Sequence, residues 1–329
     1  MKAYMISLND CTEKIKYLNK FGIETILVKG VNGKTIPEKD IVKRVSNFYK
    51  TFGPKSAIGC AISHMNTWKL FLETNDEYAI IFEDDVVLED NFVEKLEIAL
   101  QDVPKTYDIL YLGCGGCDNE QKINIIKIAN SFTMLPHTFN KEEKITDNIS
   151  IPSAAFFTHA YILSRKGATK LLKYLDGKLF NHIDFCIQKL VLDNKIESYT
   201  TTPRIAYQTS TDYTPSENVS SNYPLIANKI LSKIYIDKMV TSQYLFSLSL
   251  FRLGNININV FALLFFLIGF ICMLKNIDIK KITIIFLIFS LPDIILIKNK
   301  NDIQTILFYY FILILPSFLK NIYYIKVNK

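Results

Sequence analysis

The sequence has little of what stabilises small secreted domains or binds nucleic acids. Its six cysteines show no spacing typical of a disulfide framework, and 329 residues are enough to bury a core without one. The formal net charge is only +6, and no basic block is interleaved with aromatic residues, so we expect no nucleic-acid partner. The opening residues, MKAYMISLND, lack the long apolar run of a secretory leader. We therefore expect the first part of the chain to fold in a reducing compartment.

One close cysteine pair, Cys114 and Cys117, lies in the glycine-rich segment YLGCGGCDN. A single CxxC is half of a typical zinc site, and no second pair at the required spacing follows it in the sequence. Two interpretations stay open: a metal or redox pair, or two ordinary thiols in a loop.

Strand-like and helix-like segments alternate through the first part of the chain. The strand-like segments are KAYMISL, ETILVKG, YAIIFEDDVVL, DILYLG and INIIKI. The helix-like segments are TEKIKYLNKFG, GPKSAIGCAISHMNTWKLFLE and NFVEKLEIAL. We expect Asp90 to cap the last of these, and HAYILSRKGATKLL to change from strand to helix at Ser164. The alternation predicts an α/β fold whose mixed, mainly parallel sheet is flanked by helices.

The last part of the chain is much more apolar. Residues 254–274 carry no charge and are long enough to cross a bilayer, which takes about 20 residues. Two further apolar runs follow at 282–297, which contains Pro292 and Asp293, and at 303–319. We expect a catalytic domain at 1–225, a basic and aromatic interfacial linker at 226–253, and two to three hydrophobic membrane helices at 254–329. The alternative is three buried helices of a soluble domain.

The most informative stretch is the acidic triplet Glu83-Asp84-Asp85, at the end of a strand-like run. In open α/β sheets, ligands bind at the carboxyl ends of the strands. Adjacent carboxylates repel one another, and a divalent cation that carries a diphosphate would offset that repulsion. The alternative is a solvated corner in which Asp85 or Glu89 helps to cap the next helix.

Several segments together resemble glycosyltransferase family 25, the bacterial lipooligosaccharide galactosyl- and glucosyltransferases. The signature is KSAIGCAISHMNTWK followed by YAIIFEDDV. AYMISLN, VKGVNGK, THAYILSRKGATKLL, NHIDFCI and PRIAYQ are similar to further family segments, so that the resemblance extends from about residue 2 to residue 210. One departure lies in CTEKIKYL, which has lysines where the family often has arginine.

The resemblance implies a GT-A-like fold and a metal-assisted transfer from a nucleotide sugar. Asp85 would then coordinate Mn²⁺ or Mg²⁺. The donor-binding residues implied are Glu83, Asp84, Leu8, Ser63 and His64. His64 lies one helical turn after Cys60, and a purely structural role for it stays open. We expect the single tryptophan, Trp68, to be a core residue.

The resemblance makes Asp184 in NHIDFCI the candidate catalytic base, and a helix N-cap is the alternative role for this residue. His182 is either a metal or phosphate ligand or a surface or packed histidine. Asp118 and Asp212 are reserve candidates for the base.

These implications predict a hexosyltransferase that moves galactose, or else glucose, from a UDP-sugar to a lipid-linked oligosaccharide, with inversion. Lysines and Arg252 lie just before the first apolar run, and basic residues favour the cytoplasmic side of a membrane. We therefore expect a membrane-attached protein whose catalytic domain is cytoplasmic. In a bacterium, the membrane would be the inner membrane. Two alternatives belong to other classes of protein. One is a transporter-like membrane protein, suggested by Asp293. The other is a catalytically silent glycan-binding module.

Overall fold

The computed structural model describes residues 1–117, 143–208, 223–237, 240–254, 256–297 and 300–327. The chain divides into two compact units. The first comprises Met1–Ser216 with Ile236–Val240, and the second comprises Glu217–Tyr235 with Thr241–Lys329. The finer division at residues 225 and 253 remains a proposal.

The first unit alternates strands and helices. Its strands are β1 (Lys2–Ser7), β2 (Glu24–Lys29), β3 (Tyr78–Glu83), β4 (Val86–Leu88), β5 (Ile109–Tyr111), β6 (Glu143–Lys144), β7 (Ile149–Ile151), β8 (Ala160–Ser164), β9 (Ser198–Thr201) and β10 (Ala206–Gln208). Its helices are Thr12–Asn19, Glu38–Val42, Asn47–Phe52, Lys55–Leu72, Phe92–Asp102, Arg165–Leu175 and Ile183–Leu192. The segment INIIKI, predicted as a strand, lies outside the described residues.

Eight strands form one mixed sheet in the order β2-β1-β3-β8-β5-β9-β7-β6. The pairs β1–β2, β1–β3 and β5–β9 are parallel. The pairs β3–β8, β5–β8, β7–β9 and β6–β7 are antiparallel. The predicted α/β fold with a mixed sheet flanked by helices, consistent with a GT-A-like domain, is confirmed. Parallel pairs do not predominate within the described sheet, because β8 inserts antiparallel between β3 and β5.

The central strands β1, β3, β5 and β8 are buried on both faces, as their continuous apolar runs require. Alternate residues of β1 point into two separate clusters, Tyr4 and Ile6 into one and Ala3 and Met5 into the other. Helix Lys55–Leu72 covers the first face, where Trp68 is fully buried as predicted. Helix Phe92–Asp102 covers the second face.

Two local predictions have different outcomes. The change from strand to helix at Ser164 is confirmed, because its side chain accepts a hydrogen bond from the Gly167 N–H. The prediction that Asp90 caps the next helix is wrong. Asn91 is the N-cap residue of helix Phe92–Asp102, and its side chain makes no capping bond.

The second unit contains most of the apolar helices. Its helices are Leu225–Leu231, Ser242–Ser247, Val260–Leu274, Ile279–Ile295 and Lys300–Val327. The remaining short strands among the described residues are Tyr235–Asp237, Val240–Thr241, Phe251–Leu253 and Ile256–Ile258. Among the described residues one helical stretch, Asp302–Tyr323, is long and apolar enough to cross a membrane. Val260–Leu274 has 15 residues and is shorter than that criterion requires. At 1.5 Å per residue it reaches about 22 Å, against about 30 Å of bilayer hydrocarbon.

Candidate active site

The acidic triplet lies where the sheet strand β3 ends. The run predicted as one strand is interrupted at Asp84 and Asp85, which form a turn between β3 and β4. β1 runs parallel beside β3, so its last residue, Ser7, lies next to this turn. The Ser7 hydroxyl donates a hydrogen bond of 2.5 Å to Asp84 Oδ2. The cluster thus lies at the carboxyl end of β3, as predicted, and beside the end of the parallel strand β1.

Glu83 is held by two donors from different elements. Thr158 Oγ1 donates to Glu83 Oε1 at 2.7 Å, and His64 Nε2 lies 3.2 Å from the same oxygen. The Glu83 side chain is 24% exposed. Burial raises the pKa of Glu83. The hydrogen bonds from His64 and Thr158 and the charge of His64 together lower it by more, so the pKa lies below its usual value.

His64 belongs to a buried chain of polar side chains. Its Nδ1 lies 2.9 Å from the hydroxyl of Tyr161, and that hydroxyl accepts a hydrogen bond of 2.7 Å from Trp68 Nε1. His64 and Tyr161 are both fully buried. The structure therefore brings the predicted residue His64 to the acidic triplet through Glu83 and fixes its ring from the other side.

Asp85 is positioned by a strand that is remote in sequence. β10 pairs antiparallel with β4, with Gln208 opposite Val86. The Gln208 amide then donates to Asp85 Oδ2 at 2.7 Å. Sequence reasoning missed Gln208, because its only local signal is its place in the segment PRIAYQ.

A positive charge also faces the triplet. Lys14 Nζ donates to the Val86 carbonyl at 2.7 Å. Burial lowers the pKa of Lys14, whereas the charges of Asp85 and Asp84 act in the opposite direction. Lys14 lies in the helix whose lysines depart from the family pattern, and sequence reasoning did not single it out.

Asp184 lies in the first turn of helix Ile183–Leu192, and the N-cap residue of that helix is His182. The Asp184 carboxylate accepts a hydrogen bond from the Phe157 N–H at 3.2 Å and another from the Phe185 N–H at 2.8 Å. Phe157 has a φ of 71°, which is uncommon for a residue with a side chain. The 7% exposed His182 packs edge-on against Phe185 at 5.8 Å, as expected for its packed alternative.

The charges of Asp184 and of two acids of the triplet act on the same thiol, that of Cys60. Burial raises the pKa of the Cys60 thiol well above its usual value, and the charges of Glu83, Asp184 and Asp85 raise it further, in that order. The remaining base candidates, Asp118 and Asp212, lie outside the described residues.

The other two predicted donor residues lie near the ends of β1 and β2. The Ser63 hydroxyl donates to the Gly59 carbonyl at 2.8 Å and accepts from the Val31 N–H at 2.8 Å. It thereby fixes the segment after β2 against helix Lys55–Leu72. Leu8 directly follows β1 and is 37% exposed. Donor binding by Ser63 and Leu8 stays a prediction.

Cys114 and Cys117 are joined as a disulfide and are buried, with Cα atoms 5.7 Å apart. The loop between them touches the segment that reaches Asp184, because Gly115 and Phe156 exchange two backbone hydrogen bonds. Of the two open interpretations, the one in which the cysteines act as a pair agrees with this arrangement of the sulfurs.

An α/β domain with carboxylates assembled at the strand ends is the arrangement expected of an enzyme that handles a nucleotide sugar. The profile of glycosyltransferase family 25, described as an LPS biosynthesis protein, matches residues 1–187. The chain therefore belongs to glycosyltransferase family 25.

Three relatives illustrate the range of this family. The chain is 25% identical over 188 residues to procollagen galactosyltransferase 1-A of Xenopus laevis, a match that covers 52% of this chain and 28% of the relative. It is 26% identical over 192 residues to the procollagen lysyl hydroxylase and glycosyltransferase of Acanthamoeba polyphaga mimivirus, a match that covers 52% of this chain and 19% of the relative. It is 28% identical over 121 residues to the probable inactive glycosyltransferase 25 family member 3 of Rattus norvegicus, covering 36% and 18%. The matches span less than a third of each relative's length.

Proposed function

We propose that this protein is an active, inverting hexosyltransferase. It transfers galactose, or else glucose, from a UDP-sugar to a lipooligosaccharide or another lipid-linked glycan. The observation that carries the proposal is the turn at Asp84 and Asp85, where separate elements hold each of the three carboxylates in place. Membership of a family that includes galactosyltransferases supports the choice of sugar.

The donor atoms at this turn fit Mn²⁺ or Mg²⁺. Both ions prefer oxygen ligands, and they are commonly bound through one or two carboxylates together with substrate phosphates. Asp85 offers a carboxylate oriented by Gln208, and Asp84 lies beside it. When bound, the metal would neutralise the charge that develops on the diphosphate leaving group.

The chain's own residues supply the rest of the site. Asp184 is the base that takes the proton of the acceptor hydroxyl on a carboxylate oxygen, and the Phe157 N–H orients it. Glu83 stays ionised through His64 and Thr158, and with Asp84 it binds the donor nucleoside. Lys14 adds a positive charge at the turn, where the diphosphate is expected.

Attachment to a membrane through the second unit suits a lipid-linked acceptor. Asp302–Tyr323 has a mean hydropathy of 1.6, and only 28% of its most apolar stretch is buried. Ile284, Ile285 and Ile288 of the neighbouring helix are also exposed. Confinement to the same surface as the acceptor would raise the effective concentration of the two partners. The basic residues before this region favour a cytoplasmic catalytic domain.

One alternative keeps specific support. Relatives named as inactive share this part of the sequence, which favours a catalytically silent glycan-binding module. The transporter-like alternative rested on Asp293. This carboxylate accepts the Leu225 N–H at 2.9 Å, a contact that gives it a structural role within the second unit.

A UDP-release assay on the full-length protein in detergent tests the proposal. A panel of UDP-sugars is supplied with Mn²⁺ or with EDTA, with and without a glycolipid acceptor. We expect metal-dependent release with one sugar, its loss in Asp85→Asn, and a fall of about 10²- to 10⁴-fold in acceptor-dependent release in Asp184→Asn. Asp90→Asn, a change at an exposed acid nearby, is the matched control. Glycan binding without release in any condition would favour the silent module.

A further inference from the structure

Three potential metal ligands of different chemistry meet beside the acidic turn. A ring nitrogen of His64, the sulfur of Cys60 and a carboxylate oxygen of Glu83 all lie within 4.8 Å of one another. Cys60 and His64 are one turn apart on helix Lys55–Leu72, so the helix presents both on one face. Glu83, the last residue of β3, completes the cluster.

The groups around this cluster are those that typically support metal ligands. A metal-bound histidine typically donates its other ring N–H to an oxygen, and bound carboxylates are themselves hydrogen-bonded. His64 Nε2 faces Glu83, while Nδ1 lies 2.9 Å from the Tyr161 hydroxyl. Thr158 donates to the Glu83 carboxylate. His64 and Glu83 are thus oriented by Tyr161 and Thr158, two residues of the same segment.

Charge also favours a cation. Cys60 is half-buried. The negative charges acting on this thiol are those of Glu83, Asp184 and Asp85. A cation would reduce the mutual repulsion of these carboxylates, and a water molecule would complete a four-coordinate shell.

We propose that Cys60, His64 and Glu83 form a second metal site, which binds a borderline-soft divalent cation of the Zn²⁺ type. Sulfur and nitrogen ligands select zinc over magnesium or manganese, which prefer oxygen. On binding, Cys60 releases its proton to solvent as the sulfur–metal bond forms. His64 binds through Nε2, which releases to solvent the proton that it donates to Glu83, and His64 holds a proton on Nδ1, towards Tyr161. The ion would tie helix Lys55–Leu72 to the end of β3, whether or not sugar is transferred.

Cobalt titration of the full-length, metal-stripped protein in detergent tests the site. Co²⁺ bound to a thiolate gives a near-ultraviolet charge-transfer band that oxygen-only sites do not give. We expect this band to appear with one equivalent of Co²⁺ and to be displaced by Zn²⁺. Cys60→Ser should abolish it. Tyr161→Phe, which removes the partner of His64 Nδ1, should weaken cobalt binding by about 10- to 100-fold.

Matched variants distinguish this site from the acidic turn and from other cysteines of the first unit. Asp85→Asn, Cys11→Ser and the double variant of Cys114 and Cys117 to serine should all keep the band. Circular dichroism confirms that each variant is folded. A wild-type protein without the band, or a folded Cys60→Ser variant that keeps it, would overturn the proposal. Because the band does not depend on turnover, failure of the transferase assay leaves this result unaffected.

Discussion

The buried histidine His159 should make the first unit sensitive to mild acid. Its side chain is fully buried near the end of β3. The pKa of His159 is lowered from 6.5 to about 4, mainly by burial and also by the charge of Arg204. The charge of Glu83 and a backbone hydrogen bond at Ala206 act in the opposite direction. His159 therefore stays neutral in the folded protein at pH values where it is protonated in the unfolded chain. The unfolded state binds more protons between about pH 4 and 6.5, so acid favours unfolding.

The size of the effect follows from these two pKa values. The stabilisation is fully present above the unfolded pKa of 6.5 and is lost as the pH falls towards the folded pKa of about 4. Between pH 7 and pH 5 the free energy of unfolding should fall by about 2 kcal/mol on account of this one side chain. Glutamine at position 159 keeps a polar side chain but cannot take up a proton, so His159→Gln should remove this part of the pH dependence.

The single tryptophan provides the assay. Trp68 is fully buried in the first unit, so its fluorescence during urea unfolding reports that unit. The free energy of unfolding is measured at pH 5, 6, 7 and 8 for the wild type and for His159→Gln. We expect the curves to run parallel above pH 7 and to diverge by about 2 kcal/mol at pH 5. Equal slopes over the whole range would refute the reasoning.

Two further predictions concern packing and charge in the same unit and use the same fluorescence measurement. A Cβ at Gly59 would lie 2.4 Å from the Val31 carbonyl oxygen. Gly59→Ala should therefore destabilise by about 1–3 kcal/mol despite a gain of about 1 kcal/mol in helix propensity, and an unchanged or raised stability would contradict it. The fully buried Asp108 accepts from Lys170 at 2.6 Å, whereas Lys166 lies 3.3 Å away. Lys170→Met should cost about 1–3 kcal/mol and its control Lys166→Met less, and the reverse order would show that Lys170 is not the principal partner.

Local sequence patterns sufficed for most elements of the first unit. Helix Lys55–Leu72 and the change from strand to helix at Ser164 follow from periodicity and capping, which act between near neighbours in the chain. The mixture of parallel and antiparallel strands was harder to predict, because β8 is separated from its partner β3 by many residues in the sequence. Nothing within HAYILS indicates that this strand runs antiparallel between two others.

The candidate site shows the same limit. The acidic triplet could be found from the sequence because three carboxylates at the end of an apolar run form a local pattern. Their partners Lys14, Thr158 and Gln208 could not, because single polar residues acquire meaning only when distant segments meet. The resemblance to a family singled out His64 and Asp184, but it did not say what either residue contacts.

The register between β3 and β8 accounts for much of the site at once. Ile81 pairs with Tyr161, and the Glu83 N–H donates to the His159 carbonyl. This register places Tyr161 on the face that carries His64, and it brings Thr158 to the Glu83 carboxylate. Because side chains alternate between the faces of a sheet, a slip of one residue would turn Tyr161 to the opposite face. The hydrogen bonds that orient His64 and Glu83 are therefore consequences of one strand pairing, and a sequence motif alone does not encode them.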